Sequence, residues 1–192
     1  KNLYDRINIK VKIMYKTESI SAIVSLIFEY GYDILTSDRM QCELNLVHHR
    51  HFNCFEHSLS VACVSVWIAK KLNITVNMRS LIRGALLHDY FLYDWREGTP
   101  GDRMHGFGHA QIALKNAERD FEIDKIQEDI IIKHMFPLNI KPPRYRESVI
   151  VTIADKICAT CEIASFICKR SDVAQIQRYL IAHKQFKKAS TA

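Results

Sequence analysis

The adjacent pair His88-Asp89 is the feature that most constrains the fold, because it closes the largely apolar run from Leu81 to Leu87. A run of this kind predicts a buried helix. An imidazole and a carboxylate at the end of such a helix are costly to desolvate, and a divalent cation that binds both groups would offset that cost. Two-residue motifs also arise by chance, so a helix-end histidine beside a surface aspartate is the alternative.

Three further residues lie in or beside segments with helical periodicity. His57 stands near the start of a predicted, mostly buried helix that runs to Leu72. His134 follows three isoleucines, and Asp155 follows the apolar segment 149–154. These positions predict embedded side chains, which favours a metal site over isolated surface residues.

The order His57, His88-Asp89, Asp155 resembles the H…HD…D set of the HD-domain phosphohydrolase superfamily. The resemblance runs from about residue 49 to about residue 168, and the stretches 56–62, 83–89 and 153–156 are similar to that family's signature segments. It implies an all-α fold, a single-domain HD-type helical bundle. It also implies that these four residues hold a first metal ion.

Two more histidines are similar to those of the dinuclear branch of the family, in which an extra histidine on each of two intervening helices binds a second ion. His105 and His134 fit those places, because small residues follow His105 at the spacing that this branch shows. His109 lies one helical turn beyond His105, so it could ligate instead or orient a ligand. The sequence pattern favours His105 as the ligand, and His109 stays open as the alternative.

The cofactor that the resemblance implies is a divalent metal, with two ions per site. Mixed imidazole and carboxylate ligands suit Fe, Mn, Co, Ni, Zn or Mg, and the ligand types do not choose among them. Two ions about 3.5–4 Å apart would convert a bridging water into hydroxide near neutral pH, and this hydroxide would attack phosphorus. Asp89 is catalytic in that scheme because it bridges both ions.

Four basic residues near the predicted ligands are candidates for holding a phosphate. Lys156 and Lys133 directly adjoin Asp155 and His134 along the chain, so they are predicted catalytic contacts, although lysines on the solvent side of each helix would look the same. Arg144 and Arg146 precede the helix of Asp155 and are predicted substrate contacts, because such loops often carry specificity.

The function that the resemblance implies is metal-dependent phosphohydrolase or phosphodiesterase activity on a nucleotide or another small phosphorylated metabolite. The bacterial diadenosine tetraphosphate hydrolases are similar in length and motif texture, whereas no Gly-Tyr-Pro follows His134 as in HD-GYP phosphodiesterases. Segment 134–138 is similar to an uncharacterised bacterial HD group. Alternatives are a regulatory module that binds metal and nucleotide without turnover, and a di-iron oxygenase on the HD scaffold.

Composition sets the limits of this interpretation. With 192 residues and 48% hydrophobic content the chain can bury one core, and six glycines and four prolines fit a helical protein. We predict one domain over 1–192, with N-terminal helices over 1–48, a metal-binding core over about 49–168 and a C-terminal helix and basic tail over 169–192. The formal net charge of +6 suits an anionic substrate, but dispersed charges argue against nucleic acid as the main partner.

The remaining patterns concern location, thiols and association. No apolar stretch or signal-peptide pattern predicts a membrane or secreted protein, so we expect a cytoplasmic one. The six cysteines are expected to be reduced core thiols, with a redox role for Cys158 and Cys161 as the alternative.

The apolar face of Ile23–Leu35 suggests either a homodimer or burial in the core. His48, His49 and His51 could line the mouth of the site or form a solvated helix end.

The predicted secondary structure is a series of helices with one long loop. Segment 90–108 is the longest predicted loop and a candidate lid, and 1–15 is ambiguous between strand and helix. Helices are predicted over about 17–35, 37–47, 58–72, 78–88, 109–120, 124–134, 145–169 and 171–183.

Overall fold

Helices make up nearly all of the chain that the computed structural model describes, which is residues 20–49, 52–92 and 105–164. The α-helices are α1 (Ile20–Thr36), α2 (Asp38–Cys42), α3 (Cys54–Lys71), α4 (Met78–Leu87), α5 (His105–Asp120), α6 (Lys125–Lys133) and α7 (Arg146–Ala164). A 3₁₀ turn covers Glu43–Asn45, and the strands β1 (Val47–His49) and β2 (Phe52–Asn53) pair antiparallel. The predicted all-α fold is confirmed, with this small strand pair as its one addition among the described residues.

Helix α4 is the centre of the bundle. Every residue from Ser80 to Leu87 is buried, and α4 packs against α1, α3, α5, α6 and α7. The apolar face of α1 lies within this core, since Ile23, Ile27 and Ile34 are buried. Burial in the core therefore accounts for the face that the sequence left open between core and dimer surface.

Helices α4 and α6 run side by side in the same direction. Their starts are joined because Ser80 Oγ donates to Asp124 Oδ2 at 2.6 Å. Their ends meet where the rings of His88 and His134 have centroids 5.0 Å apart. The ends of the two helices therefore place the imidazoles of His88 and His134 next to each other.

Gly84 lets the two helices approach each other closely. A Cβ added at Gly84 would lie 2.5 Å from Cδ1 of Ile130 and 3.1 Å from its Cβ and Cγ2. Because Ile130 is fully buried, it has little room to move away. Glycine at this position is thus required for the distance between α4 and α6.

The predicted helix over 37–47 is wrong in its second half. Ser37 caps α2 as expected, accepting from Met40 N, but the α-helix ends at Cys42. The chain then tightens into the 3₁₀ turn and enters β1, where Val47 pairs with Asn53. Pairing with β2 satisfies backbone groups that a continued helix would have used.

Two other boundaries differ from the prediction. Helix α3 begins at Cys54 rather than Ser58, because Asn53 and Glu56 form a capping box: Asn53 Oδ1 accepts from Glu56 N at 2.8 Å. Helix α5 begins at His105, so the last four residues of the predicted loop 90–108 are helical. Residues 93–104 of the candidate lid lie outside the described residues, as do 1–19, 50–51 and the C-terminal segment 165–192.

Five cysteines are free thiols: Cys54, Cys63 and Cys158 are buried, as predicted, whereas Cys42 and Cys161 are exposed, so their placement in the core was wrong. Cys168 lies outside the described residues. Among the helices that the structure describes, none has the length and apolar character needed to cross a bilayer.

Replacing Gly84 by alanine should destabilise the protein. Overpacking against Ile130 costs about 1–3 kcal/mol, whereas better helix propensity returns about 0.5–1 kcal/mol. We expect the free energy of unfolding, measured by urea denaturation, to fall by about 1–2 kcal/mol, combining these terms.

Gly108→Ala is the matched control, because a Cβ there meets nothing within 4 Å. Its free energy of unfolding should stay equal or rise by up to about 1 kcal/mol. Equal losses in both variants would show that the space beside Ile130 is not the cause.

Candidate metal centre

His88 and His134 are held in the same way at the ends of α4 and α6. Each is the residue after the last helical one, and each has its Nδ1 2.8 Å from a carbonyl oxygen three residues earlier, Ala85 O for His88 and Ile131 O for His134. A carbonyl only accepts, so Nδ1 donates, and in the neutral imidazole Nε2 is left with its lone pair. Both imidazoles are therefore fixed in the tautomer that binds metal through Nε2.

His57 and Asp155 come together from α3 and α7, although 98 residues separate them in the chain. The capping box fixes the first turn of α3, which carries His57. Its Nε2 lies 3.2 Å from Asp155 Oδ1, and the same oxygen lies 3.8 Å from His88 Nε2. The first predicted ligand set thus meets in space.

Asp89 lies between two sets of imidazoles and turns one oxygen toward each. Its Oδ2 is 3.5 Å from His88 Nε2 and 3.9 Å from His57 Nε2. Its Oδ1 is 3.3 Å from both His109 Nε2 and His134 Nε2. One carboxylate can therefore serve two neighbouring ions.

Of the two histidines at the start of α5, the structure brings His109 to the cluster. Its Nε2 lies 2.9 Å from His134 Nε2, and its ring is buried. The side chain of His105 lies outside the described residues. Helix α5 begins at His105, so His109 stands one turn inside it, and this geometry favours the alternative that the sequence pattern ranked second.

The donor set fits divalent cations. Two groups have ligand atoms that all lie within 4.8 Å of one another: His57, His88 and Asp89, and Asp89, His109 and His134. Nitrogen and oxygen atoms bound about 2.1 Å from one ion at right angles are about 3 Å apart, close to these spacings. Buried His88 Nε2 has no hydrogen-bond partner among the described residues, as expected of an atom kept for a ligand.

Electrostatics favour the metal-binding forms of Asp155 and His134, whereas His88 is held toward its protonated form. Burial opposes ionisation of Asp155, but the hydrogen bond with His57 and the nearby imidazole of His88 outweigh burial and hold its pKa well below the usual range. Burial lowers the pKa of His134, which favours the neutral imidazole. For His88, burial would lower the pKa, but the charges of Asp89 and Asp155 outweigh it and raise the pKa. A divalent ion would replace the proton on His88 and supply the positive charge beside Asp89 and Asp155.

Of the predicted phosphate contacts, Lys156 lies beside the cluster. Its Nζ donates to His134 O at 2.8 Å and lies 3.7 Å from Asp155 Oδ2. Lys133 is half-buried at the end of α6, next to His134. Both lysines therefore adjoin residues of the cluster.

The structure does not bring Arg146 to the cluster. Its Nη1 donates to Thr75 O at 3.1 Å, and nine residues of α7, about 14 Å, separate it from Asp155. Arg144 has an exposed side chain, and its backbone N–H donates to Asp129 Oδ2 at 2.8 Å. The position of Arg146 does not favour the substrate contact predicted for it, whereas the contact of Arg144 stays a prediction.

Glu43 is a buried acidic residue that the sequence analysis missed. Its side chain is fully buried, and burial together with the nearby charge of Asp89 raises the pKa of Glu43 well above its usual range. Met40, three residues earlier, is also fully buried. Glu43 lies three residues after Met40, which is about one helical turn, and this spacing could have predicted that both side chains are buried.

Comparison with protein families agrees with this geometry. The model of the HD domain family matches residues 54–160, more than half of the 192-residue chain. The chain belongs to the HD domain family. The matched region begins with α3 and contains every residue of the cluster, from His57 to Asp155. No curated protein and no solved structure matches the chain significantly.

We expect each of the two ligand groups that share Asp89 to bind one ion. We expect two divalent ions per chain in protein purified without chelator, about one in His134→Ala and none in Asp89→Ala, by mass spectrometry. Asp129→Asn is the control, since this buried carboxylate on α6 accepts from Arg144 N. A content that is indifferent to His134 would contradict a dinuclear site.

The two histidines of α5 should differ in the same measurement. We expect His109→Ala to lose one ion, because its Nε2 faces Asp89 Oδ1 at 3.3 Å, and His105→Ala to keep both. The reverse result would assign the ligand to His105.

Proposed function

We propose that this protein is a metal-dependent phosphohydrolase or phosphodiesterase that acts on a nucleotide or another small phosphorylated metabolite. The observation that carries the proposal is the orientation of Asp89, whose two oxygens face two separate groups of imidazoles. Hydrolysis at a pair of divalent ions is also the activity that the family resemblance implies.

The ligands would be His57, His88, Asp89 and Asp155 for one ion, and Asp89, His109 and His134 for the other. Bound divalent ions supply positive charge for phosphate oxygens and lower the pKa of a water molecule that can attack phosphorus. Asp89 would fix the position of the two ions relative to each other, because it belongs to both ligand groups. The carbonyl contacts of His88 and His134 keep each ring oriented without a further side chain.

Burial strengthens the electrostatics of the site. His57 and His88 are fully buried, and Asp89 and Asp155 are nearly so. Charges in such surroundings interact more strongly than they do in bulk water. A phosphate that enters the site would therefore exchange its hydration for fixed charges and dipoles.

Among the described residues, Lys156 is the one best placed to hold a phosphate oxygen. One of its three N–H groups donates to His134 O, which leaves two donors, and its side chain is 44% exposed. Its contact with His134 keeps the ammonium beside the cluster while part of the side chain reaches solvent. We assign it the role of stabilising negative charge on the substrate.

Lys156→Met should lower kcat/KM for a phosphate ester by about 100-fold while metal content stays unchanged, because a positive charge that faces the transition state is lost. Lys125→Met is the matched control, since Lys125 is exposed at the opposite end of α6 from His134. Equal losses in the two variants would remove Lys156 from the mechanism.

The substrate class can be tested with the metal that the protein carries. A nucleoside monophosphate, a dinucleoside tetraphosphate and a cyclic dinucleotide would be incubated with wild-type protein and Asp89→Ala, and products separated by chromatography. We expect turnover of at least one substrate by the wild type, with loss in Asp89→Ala and in chelator. Cleavage of the dinucleoside tetraphosphate would support the diadenosine tetraphosphate hydrolase branch that the sequence resembles.

Two other outcomes would overturn the proposal. Tight binding of metal and nucleotide without turnover would indicate a regulatory module. Oxygen consumption by iron-loaded protein without phosphate release would indicate an oxygenase.

A further inference from the structure

Glu43 is a buried acid outside the ligand set. Its side chain is fully buried, and neither carboxyl oxygen has a hydrogen-bond partner among the described residues. Burying a carboxylate without a partner is strongly unfavourable, and such groups normally pair with a cation or a donor. The placement of Glu43 therefore needs a cause.

The turn that carries Glu43 is attached to the helix of His57. Leu46, the residue after the 3₁₀ turn, accepts from Cys54 N at 2.9 Å, and Cys54 is the first residue of α3. His57 follows one turn later in the same helix. The backbone thus ties Glu43 to the start of the metal-binding region.

Burial and the charge of Asp89 both affect the pKa of Glu43. Burial is the larger cause and the negative charge of Asp89 the next one, and both raise the pKa of Glu43. Without cations, two carboxylates in one buried region repel each other. Divalent ions held by Asp89 would reverse the sign of that interaction, because Glu43 would then face net positive charge.

Glu43 belongs to neither group of ligand atoms that lie within 4.8 Å of one another. Asp155 Oδ1 lies 3.2 Å from His57 Nε2, but neither carboxyl oxygen of Glu43 has a hydrogen-bond partner among the described residues. This geometry favours action from outside the ligand set over direct ligation. A carboxylate in such a position interacts with bound ions through charge and through water molecules between them.

We propose that Glu43 is a positioning residue of the metal centre, whose carboxylate stabilises bound divalent ions through its charge and by accepting hydrogen bonds from water in the site. The inference rests on the metal centre of the proposed function. It adds a seventh residue, supplied by the 3₁₀ turn, to the six that the helices contribute.

The test is the affinity of Glu43→Gln for Mn²⁺, measured by calorimetric titration of metal-free protein. Glutamine keeps the shape of the side chain and removes the charge, so we expect affinity to fall by about 10- to 100-fold. Metal-free Glu43→Gln should be at least as thermally stable as metal-free wild type, because repulsion from Asp89 is gone. The rise in Tm on adding Mn²⁺ should therefore be smaller in the variant.

Glu147→Gln is the matched control. Glu147 is also buried, but its Oε1 accepts from Asn77 N at 2.7 Å, near the start of α7 and away from Asp155. We expect its affinity for Mn²⁺ to equal that of wild type. A loss of affinity as large as that of Glu43→Gln would overturn the proposal, because the loss would then not depend on the position of the glutamate.

The remaining outcomes separate this inference from the function. Wild-type binding with unchanged affinity in Glu43→Gln would overturn the role of Glu43 and leave the metal centre intact. Equal shifts of Tm in metal-free and metal-loaded protein would do the same, since a purely structural role predicts them. Failure of the wild type to bind any divalent ion would overturn both. If Glu43→Gln does not fold, Glu43→Met, apolar and of similar length, should show the same loss of affinity.

Discussion

The buried negative charge of Asp89 is the constraint around which the rest of the structure is arranged. A carboxylate at the end of the most buried helix loses its hydration and must be compensated locally. Each oxygen faces imidazole nitrogens from different helices, and divalent ions bound between them would supply the compensation. The C-terminal ends of α4 and α6 also point at this region, and their partial negative charge favours cations there.

The parallel arrangement of α4 and α6 makes this compensation possible without special loops. The two helices share a hydrogen bond between Ser80 and Asp124 at their starts and a glycine contact at Gly84. They end at nearly the same level with a histidine each, and each histidine is oriented by its own helix. The distance between the two imidazoles is therefore set by backbone packing, which is stiffer than a contact between flexible side chains.

The sequence was most informative where ligands occupy regular helices. His57, His88 and Asp155 stand at the ends or on the buried faces of periodic segments, so pattern and order were enough to bring them into one hypothesis. His105 and His109 were harder to separate, because the choice depends on where α5 begins, and helix starts are poorly defined by periodicity.

The residues that the sequence missed or misplaced depend on irregular backbone or tertiary contacts. Glu43 lies where the chain passes from α-helix through a 3₁₀ turn to a strand, and no single period applies there. Arg146 was placed near the site because it precedes the helix of Asp155, but that helix carries it to the opposite end, toward Thr75. Neighbours in sequence can be far apart in space when a long helix separates them.

The ligands come from five different helices, α3 to α7, and His57 and Asp155 are 98 residues apart along the chain. Ions bound by all of them would act as cross-links between distant parts of the folded chain. The helices could then separate only after the ions leave, so the lifetime of the fold would depend on metal supply. Chelation would act on this chain as reduction acts on a disulfide-bonded protein.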